Sequence, residues 1–332
     1  MRGNKKVIRY ADGNMIGEDV QILSESEGKS SLIFSVKVHK GVHDVFMDIY
    51  SPEDALIDIK VFPRRFMRKG LELKKDKNTH EKFTIFSKDD EVIFELSSRN
   101  IEFSISLEES NDAAVIYLAG DSTVCDQEKE PFTGWGQMLS CFFNEGIAIS
   151  NHAYSGRSTK SFIDEGRLDN ILSTIKEGDY LFIQFGHNDQ KDDERHTDPY
   201  TTYIETLKVY IDEAKKRKAV PVLVTSMHRR FFDENNKIKN TLGDYPDAMR
   251  KLAKDEGIYL IDLHKKSEIL FNQYGVEKTK ELFIWVDGGV YPDYPDGIQD
   301  NTHFTELGAY ELAKLVVEGI RENNMEIVKY MK

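Results

Sequence analysis

A serine that attacks a carbonyl needs a base to take its proton, a partner to orient that base, and donors to hold the resulting oxyanion. Four short blocks of this chain offer those residue types. The first is Gly120-Asp121-Ser122-Thr123. There a serine follows a buried apolar run and a glycine, and can expose its hydroxyl; Asp and Ser after a strand are also ordinary helix caps. The second is Asn151-His152-Ala153-Tyr154 leading into Ser155-Gly156-Arg157-Ser158. Gly156 lets backbone approach a ligand closely and turn its N–H toward a developing oxyanion, although Ser-Gly is also a plain turn. The third, Gly186-His187-Asn188-Asp189, carries an amide whose N–H₂ is a neutral oxyanion donor, or else is a turn built from turn-forming residues. The fourth is Asp300-Asn301-Thr302-His303. Asp and His three apart can lie on one turn, the carboxylate fixing the imidazole tautomer while the other ring nitrogen faces the serine; a capping Asp beside an unrelated His is the plainer alternative.

Each block alone is modest. Together they supply nucleophile, oxyanion donors, base and orienter, provided that one fold gathers them. The elements between them predict such a fold. The runs Val115 to Ala119, Ile147 to Ser150, Tyr180 to Phe185, Val220 to Thr225 and Ile258 to Leu263 are short and continuously apolar, as strands buried on both faces are. Amphipathic segments alternate with them. One starts at an Asp198 N-cap with Pro199 in the first helical position and keeps Tyr203, Leu207, Tyr210, Ile211 and Ala214 on one face. Another spans about Pro246 to Glu256 and stops at Gly257. The last starts near Thr305 and carries Leu307, Leu315, Val316 and Ile320. This alternation predicts an open, doubly wound α/β sheet, in which ligands sit outside the carboxyl ends of the strands. The four blocks fall at such ends or in loops on that rim.

The first third of the chain has a different rhythm. Ser31 to Val38, Val45 to Tyr50, Leu56 to Phe62, Lys82 to Ser87, Glu91 to Leu96 and Ile101 to Leu107 are short, rich in Val, Ile and Phe, and partly alternating. They predict an antiparallel β-sandwich. The polar break at Glu108 to Asp112 sets the expected boundary, a β-sandwich over 1–111 and a catalytic domain over 112–332. The aromatics of 1–111 mostly fall at alternating strand positions, where core packing is their expected fate.

A net charge of −13 disfavours nucleic-acid and membrane-surface partners. No run approaches a membrane span, and the basic opening Met1 to Lys6 leads into no apolar signal-peptide core, so the cytoplasm is the expected compartment. The two cysteines, Cys125 and Cys141, suggest neither a disulfide framework nor a metal knuckle, and are expected to be free, partly buried thiols.

The ordered set Gly-Asp-Ser-Thr, a Gly-containing second block, Gly-His-Asn-Asp and Asp-x-x-His resembles the SGNH (GDSL) hydrolases. Leu118 to Val124, Thr133 to Leu139, Gly186 to Gln190 and Asp300 to Phe304 are similar, more narrowly, to the rhamnogalacturonan acetylesterase branch. The likeness covers about Ala114 to the C-terminus. It implies a flavodoxin-like, three-layer α/β domain with a parallel sheet and no metal or other cofactor. It also implies a serine esterase that removes acetyl groups from pectin-type oligosaccharides through an acyl-enzyme, with acetyl-xylan or another small ester as the alternative substrate. By the same resemblance Ser122, Asp300 and His303 form the triad. The Ser122 and Gly156 N–H groups with the Asn188 side chain form the oxyanion hole, and Asp121 and His187 support the loops. Residues 1–111 resemble the galactose-binding-like sandwich that some bacterial members carry. Trp135 either stacks on sugar or belongs to the core.

Two rival readings use the same residues. Asp121, His187, Asn188, Asp189, Asp300 and His303 include good metal ligands. A metallophosphoesterase, however, carries Gly-Asn-His-Asp or Glu with a companion Asp-x-His, and this chain has Gly-His-Asn-Asp with no convincing companion. A non-catalytic carbohydrate-binding protein with a relic esterase domain is disfavoured because every expected catalytic residue is present. The α/β-hydrolase elbow G-x-S-x-G is absent from the serine block.

Overall fold

The computed structural model describes residues 6–11, 14–25, 31–61, 63–98 and 100–332. Phe62, the last residue of the expected Leu56 to Phe62 strand, and the basic Met1 to Lys5 lie outside these. Two compact units make up the chain. One comprises Met1–Val115 with Ser140–Ile149 and Lys329–Lys332; the other comprises Ile116–Leu139 and Ser150–Val328.

Among the described residues the first unit holds ten strands: β1 (Lys6–Ala11), β2 (Asn14–Ile16), β3 (Val20–Glu25), β4 (Leu32–Lys37), β5 (Gly41–Ser51), β6 (Ala55–Val61), β7 (Arg65–Leu73), β8 (Lys77–Ser87), β9 (Glu91–Leu96) and β10 (Glu102–Glu109). They form two five-stranded antiparallel sheets, ordered β2-β1-β10-β5-β8 and β3-β4-β9-β6-β7. The alternating apolar positions of both sheets meet in one core. Phe34 stacks on Phe94 and Phe103 there, and all three are buried. Tyr10, Phe34, Phe83, Phe94 and Phe103 all belong to this core. The sequence missed β7 because its centre is charged: Arg68 is buried, bonded to Glu81, the Lys82 carbonyl and the Phe143 carbonyl. Edge strand β8 begins five residues before the apolar run that signalled it, since its first half is polar and solvent-facing.

The rest of the chain's strands, most of whose residues belong to the second unit, begin with β11 (Ala114–Gly120), β12 (Ile147–Asn151), β13 (Tyr180–Gln184), β14 (Val220–Val224) and β15 (Tyr259–Ile261). Between and after them come α1 (Trp135–Met138), α2 (Thr159–Asp164), α3 (Arg167–Leu172), α4 (Thr202–Lys216), α5 (Tyr245–Glu256), α6 (Leu263–Lys278) and α7 (Glu306–Glu322). A short antiparallel pair, β16 (Phe283–Val286) and β17 (Ile298–Phe304), completes the set. The main sheet runs β12-β11-β13-β14-β15, with parallel pairing from β11 through β15. That is the flavodoxin-like order, whose switch point lies at β11 and β13, so the crevice for a ligand opens at their carboxyl ends.

Two helix expectations change. The α4 N-cap is Thr201, not Asp198: the Asp198 carbonyl accepts the Thr201 and Tyr203 N–H groups, so Pro199 belongs to the turn before the helix. Along α7, Leu307 is 43% exposed, because the inner face is made by Ala309, Leu312, Ala313, Val316, Val317 and Ile320. Helix α5 ends at Gly257 in the left-handed conformation, where a Cβ would be costly.

Helix α1 packs against the chain that carries Ser122. A Cβ on Gly134 would lie 2.3 Å from the Cys125 carbonyl oxygen, which is backbone and cannot swing away. Gly134→Ala is therefore expected to cost about 1–3 kcal/mol, read as a lower midpoint in thermal unfolding; an unchanged midpoint would mean that this packing is looser than it looks.

Candidate active site

Strand β11 delivers Ser122, the candidate nucleophile, through a tight turn built by Asp121. Its Oδ1 accepts the Thr123 N–H at 2.9 Å and the Thr123 hydroxyl at 2.7 Å, and its carbonyl accepts the N–H groups of Val124 and Cys125. The side chain of Asp121 is wholly buried, so Ser122 next to it is turned outward. Burial pushes the Asp121 carboxyl up, but its contacts with His187 and Thr123 outweigh that and leave it below its ordinary value. His187 Nδ1 lies 3.5 Å from Asp121 Oδ2, and its Nε2 faces the Met227 carbonyl at 3.1 Å. Burial lowers the His187 pKa despite the neighbouring carboxylate, which fits a supporting group.

His303, the candidate base, arrives from a distortion rather than a helical turn. In the β16–β17 ladder, Phe283 pairs with Phe304 whereas Ile284 pairs with Asp300, so Asn301, Thr302 and His303 bulge out of the register. The bulge is held at both ends. Asp300 Oδ1 accepts the Thr302 N–H at 2.6 Å and the His303 N–H at 3.0 Å. Asn301 Oδ1 accepts from Arg230 Nη1 at 3.1 Å and from Trp285 Nε1 at 2.9 Å, and the Asn301 carbonyl takes the Arg230 N–H. The expectation that Asp300 and His303 share one turn is corrected accordingly. Their spacing works because a three-residue bulge brings the side chain of the first back onto the third.

Within that bulge Asp300 Oδ2 lies 2.6 Å from His303 Nδ1, and His303 Nε2 lies 2.8 Å from Ser122 Oγ. Burial alone would raise Asp300, but the bonds to His303 and the two backbone donors win and draw its carboxyl down to about 2. Asp300 therefore stays ionised at neutral pH, able to hold the imidazole by Nδ1 and leave Nε2 free to accept the serine proton. Phe132 packs edge-on against the imidazole, ring centroids 5.5 Å apart.

Ser122, His303, Gly156, Asn188 and His187 line one cleft of about 560 Å³, together with Gln127, Phe132, Ser155, Lys191, Arg229 and Thr302. Among the described residues the N–H groups of Ser122 and Gly156 meet no acceptor. Gly156 adopts φ +82°, and the nearest atom to an added Cβ is Arg195 Nη1 at 3.8 Å. Glycine is thus required there by the backbone conformation that aims the N–H, not by crowding within the protein. Asn188 Nδ2 donates one hydrogen to the Arg157 carbonyl at 3.0 Å, which leaves the other for the cleft.

Several contributors take roles that their sequence blocks did not assign. Asp189 is buried, and its Oδ1 accepts the Thr159 N–H and hydroxyl and the Thr197 hydroxyl. It ties the loop carrying Gly156 to the loop carrying Asn188, while Tyr245 caps the same loop through the Asp189 and Thr197 carbonyls. Arg230 and Trp285, which clamp the bulge, read in sequence as an ordinary cation and aromatic. Trp135 is fully buried and donates to Gln184 at 2.7 Å, so it belongs to the core. Both cysteines are free and buried. Among the described residues no three His, Cys, Asp or Glu side chains converge as a metal-binding group.

Asp189 also makes a pH-dependent contribution to stability. Burial raises its carboxyl from the ordinary value of 3.8 to about 6, against the pull of Thr159 and Thr197. Between those values the native state holds a proton that the unfolded chain has lost. The contribution of Asp189 is thus favourable at low pH and lost as pH rises through about 6. In urea titrations across pH 4–8, Asp189→Asn should gain stability relative to the parent as pH rises to about 6 and then hold a constant difference. A difference independent of pH would contradict the raised value.

Comparison with known proteins follows the same lines. The GDSL-like lipase/acylhydrolase family matches residues 116–316. Rhamnogalacturonan acetylesterase RhgT of Bacillus subtilis is 50% identical over 218 residues, covering 65% of this chain and 93% of the relative. The probable rhamnogalacturonan acetylesterase YesY of the same organism is 43% identical over 217 residues, 64% of this chain and 95% of that one. The crystal structure of the Bacillus subtilis protein YxiM shares the fold, with a TM-score of 0.59 at 22% identity, covering 93% of this chain and 89% of that chain. The family match spans every block that builds the cleft, and the chain belongs to the GDSL-like lipase/acylhydrolase family.

Proposed function

We propose that this protein is a metal-independent carbohydrate acetylesterase acting on acetylated pectin-type oligosaccharides, with Ser122 as nucleophile. The observation that carries the reading is the chain Asp300–His303–Ser122, with links of 2.6 and 2.8 Å, opening into a cleft with unpaired backbone donors. The 50% identity to a protein named rhamnogalacturonan acetylesterase supports the choice of substrate.

In this reading Ser122 Oγ attacks the acetyl carbonyl carbon while His303 Nε2 takes the hydroxyl proton, and Asp300 stabilises the imidazolium without accepting its proton. The carbonyl π-electrons move onto oxygen, and the oxyanion is held by the Ser122 and Gly156 N–H groups and Asn188 Nδ2. Collapse breaks the ester C–O bond, and His303 returns the proton to the departing sugar oxygen. Water, deprotonated by the same imidazole, then releases acetate and restores Ser122.

Acetate release from acetylated rhamnogalacturonan oligosaccharides tests this directly, with acetylated xylan as the comparison. Release is expected, undiminished by EDTA, and Ser122→Ala should lower it by at least about 10³-fold in a folded protein. Near-parental turnover by that variant, or activity lost to chelator and restored by a divalent ion, would reject the reading. Asn188→Ala should reduce kcat by roughly 10²–10³ with little change in KM, because the charge it stabilises exists only in the transition state. Asp300→Asn should lower kcat by about 10⁴ through loss of the oriented tautomer. A rise in KM alone for Asn188→Ala would make it a substrate contact instead.

A further inference from the structure

Two of the three proposed oxyanion donors depend on one further residue, Arg157. A peptide N–H and the C=O across the same C–N bond form one conjugated, planar unit, so the Gly156 N–H is coupled to the Ser155 carbonyl. Arg157 Nη1 donates to that carbonyl oxygen at 2.7 Å. A cation bonded there draws electron density from the peptide nitrogen and makes its N–H a stronger donor. Arg195 Nη1 reaches the same loop, but its acceptor is the Gly156 carbonyl, at 3.2 Å, which belongs to the next peptide unit. The main chain of Arg157 serves the other donor: its carbonyl takes one hydrogen of Asn188 Nδ2 at 3.0 Å and so fixes the direction of the second.

The guanidinium is held in place rather than left to rotate. Its Nε lies 2.9 Å from Glu165 Oε2, and Arg167 Nε lies 2.7 Å from the same oxygen. Both cations sit over the ring of Tyr154, with Cζ 4.5 Å from its centroid for Arg157 and 3.7 Å for Arg167. Tyr154 in turn donates its N–H to the Gly120 carbonyl at 3.0 Å, which fastens the cluster to the end of β11, two residues before Ser122. Hydrogen bonds from Arg157, then from Arg167, hold the Glu165 carboxyl below its ordinary value, so it stays ionised at neutral pH. Two guanidinium groups share that one carboxylate, and one positive charge is left over. The fixed fork of an arginine suits this task, because Nε can keep the anchor while Nη1 addresses the carbonyl.

We propose that Arg157 is a positioning residue of the oxyanion hole, whose guanidinium polarises and aims the Gly156 N–H through the Ser155 carbonyl while its own carbonyl aims Asn188 Nδ2. This rests on the acetylesterase reading and adds to it the group that tunes the donors. Arg157 touches neither the ester nor the oxyanion. Its effect falls on charge that exists only in the transition state, and therefore on kcat rather than KM.

The test measures kcat and KM for p-nitrophenyl acetate with the parent enzyme, Arg157→Gln, Arg157→Lys and Arg167→Gln. Rates are expressed per serine titrated with an organophosphorus reagent, so that misfolded protein does not count. Strengthening of a bond by roughly 10–30%, applied to a donor whose loss costs about 10²–10³ in rate, sets the scale. Arg157→Gln should lower kcat by about two- to eight-fold with KM unchanged, and Arg157→Lys, which keeps a charged donor, should recover most of that loss. Arg167→Gln is the control: Arg167 shares Tyr154 and Glu165 with Arg157 but not the Ser155 carbonyl, so kcat should stay near the parent value. A parental kcat for Arg157→Gln, a change in its KM alone, or no recovery in Arg157→Lys overturns the proposal while the esterase reading stands. So does an equal loss in Arg167→Gln, which would make the cluster mere scaffolding. A parent enzyme no faster than Ser122→Ala overturns the esterase reading itself, and the proposal with it.

Discussion

The 2.8 Å contact between Ser122 Oγ and His303 Nε2 joins residues 181 positions apart, and the architecture of the second unit can be read as what is needed to make it. A hydroxyl and an imidazole meet at hydrogen-bond distance only if both loops are held to fractions of an ångström. Each is held by an aspartate that bonds the backbone just after itself. Asp121 curls the chain at the end of β11 through Thr123, and Asp300 curls the bulge in β17 through Thr302 and His303. The same short-range chemistry, a carboxylate accepting the N–H two residues on, is thus used twice, once beside Ser122 and once beside His303.

Around this contact the parallel sheet supplies the address. Strands β11 and β13 are neighbours at the point where the strand order reverses, so the loops leaving their carboxyl ends diverge and leave a crevice. Ser122 and Asn188 follow those two strands, and Gly156 follows β12 beside them. Asp189 then fastens the Gly156 and Asn188 loops together through Thr159 and Thr197, at the cost of a buried acid whose carboxyl is driven up to about 6. In the proposed mechanism, placing oxyanion donors takes precedence there over local stability, as expected where charge develops only in the transition state.

Much of this was legible in the sequence, for a physical reason. Strands buried on both faces must be continuously apolar, and residues at their ends must be polar turn formers, so Gly120-Asp121-Ser122 and Gly186-His187-Asn188 stand out against what precedes them. The bulge at Asn301 to His303 was not legible, because its cause lies in pairing with β16 and in the grip of Arg230 and Trp285, both remote in sequence. Strand β7 was hidden by Arg68, whose burial needs Glu81 and the Lys82 and Phe143 carbonyls, all remote in sequence. Asp198-Pro199 looked like a helix start by local rules and is the turn before it.

The central claim is that Ser122 is the group that becomes acylated. An organophosphorus reagent that phosphonylates activated serines, followed by peptide mapping, tests it most directly, since the unactivated serines of the chain react far more slowly. The account predicts one label per chain, on the peptide containing Ser122, with activity lost in proportion to labelling. Full inactivation with Ser122 unlabelled, or Ser122 fully labelled in an enzyme that still hydrolyses its ester, would contradict it.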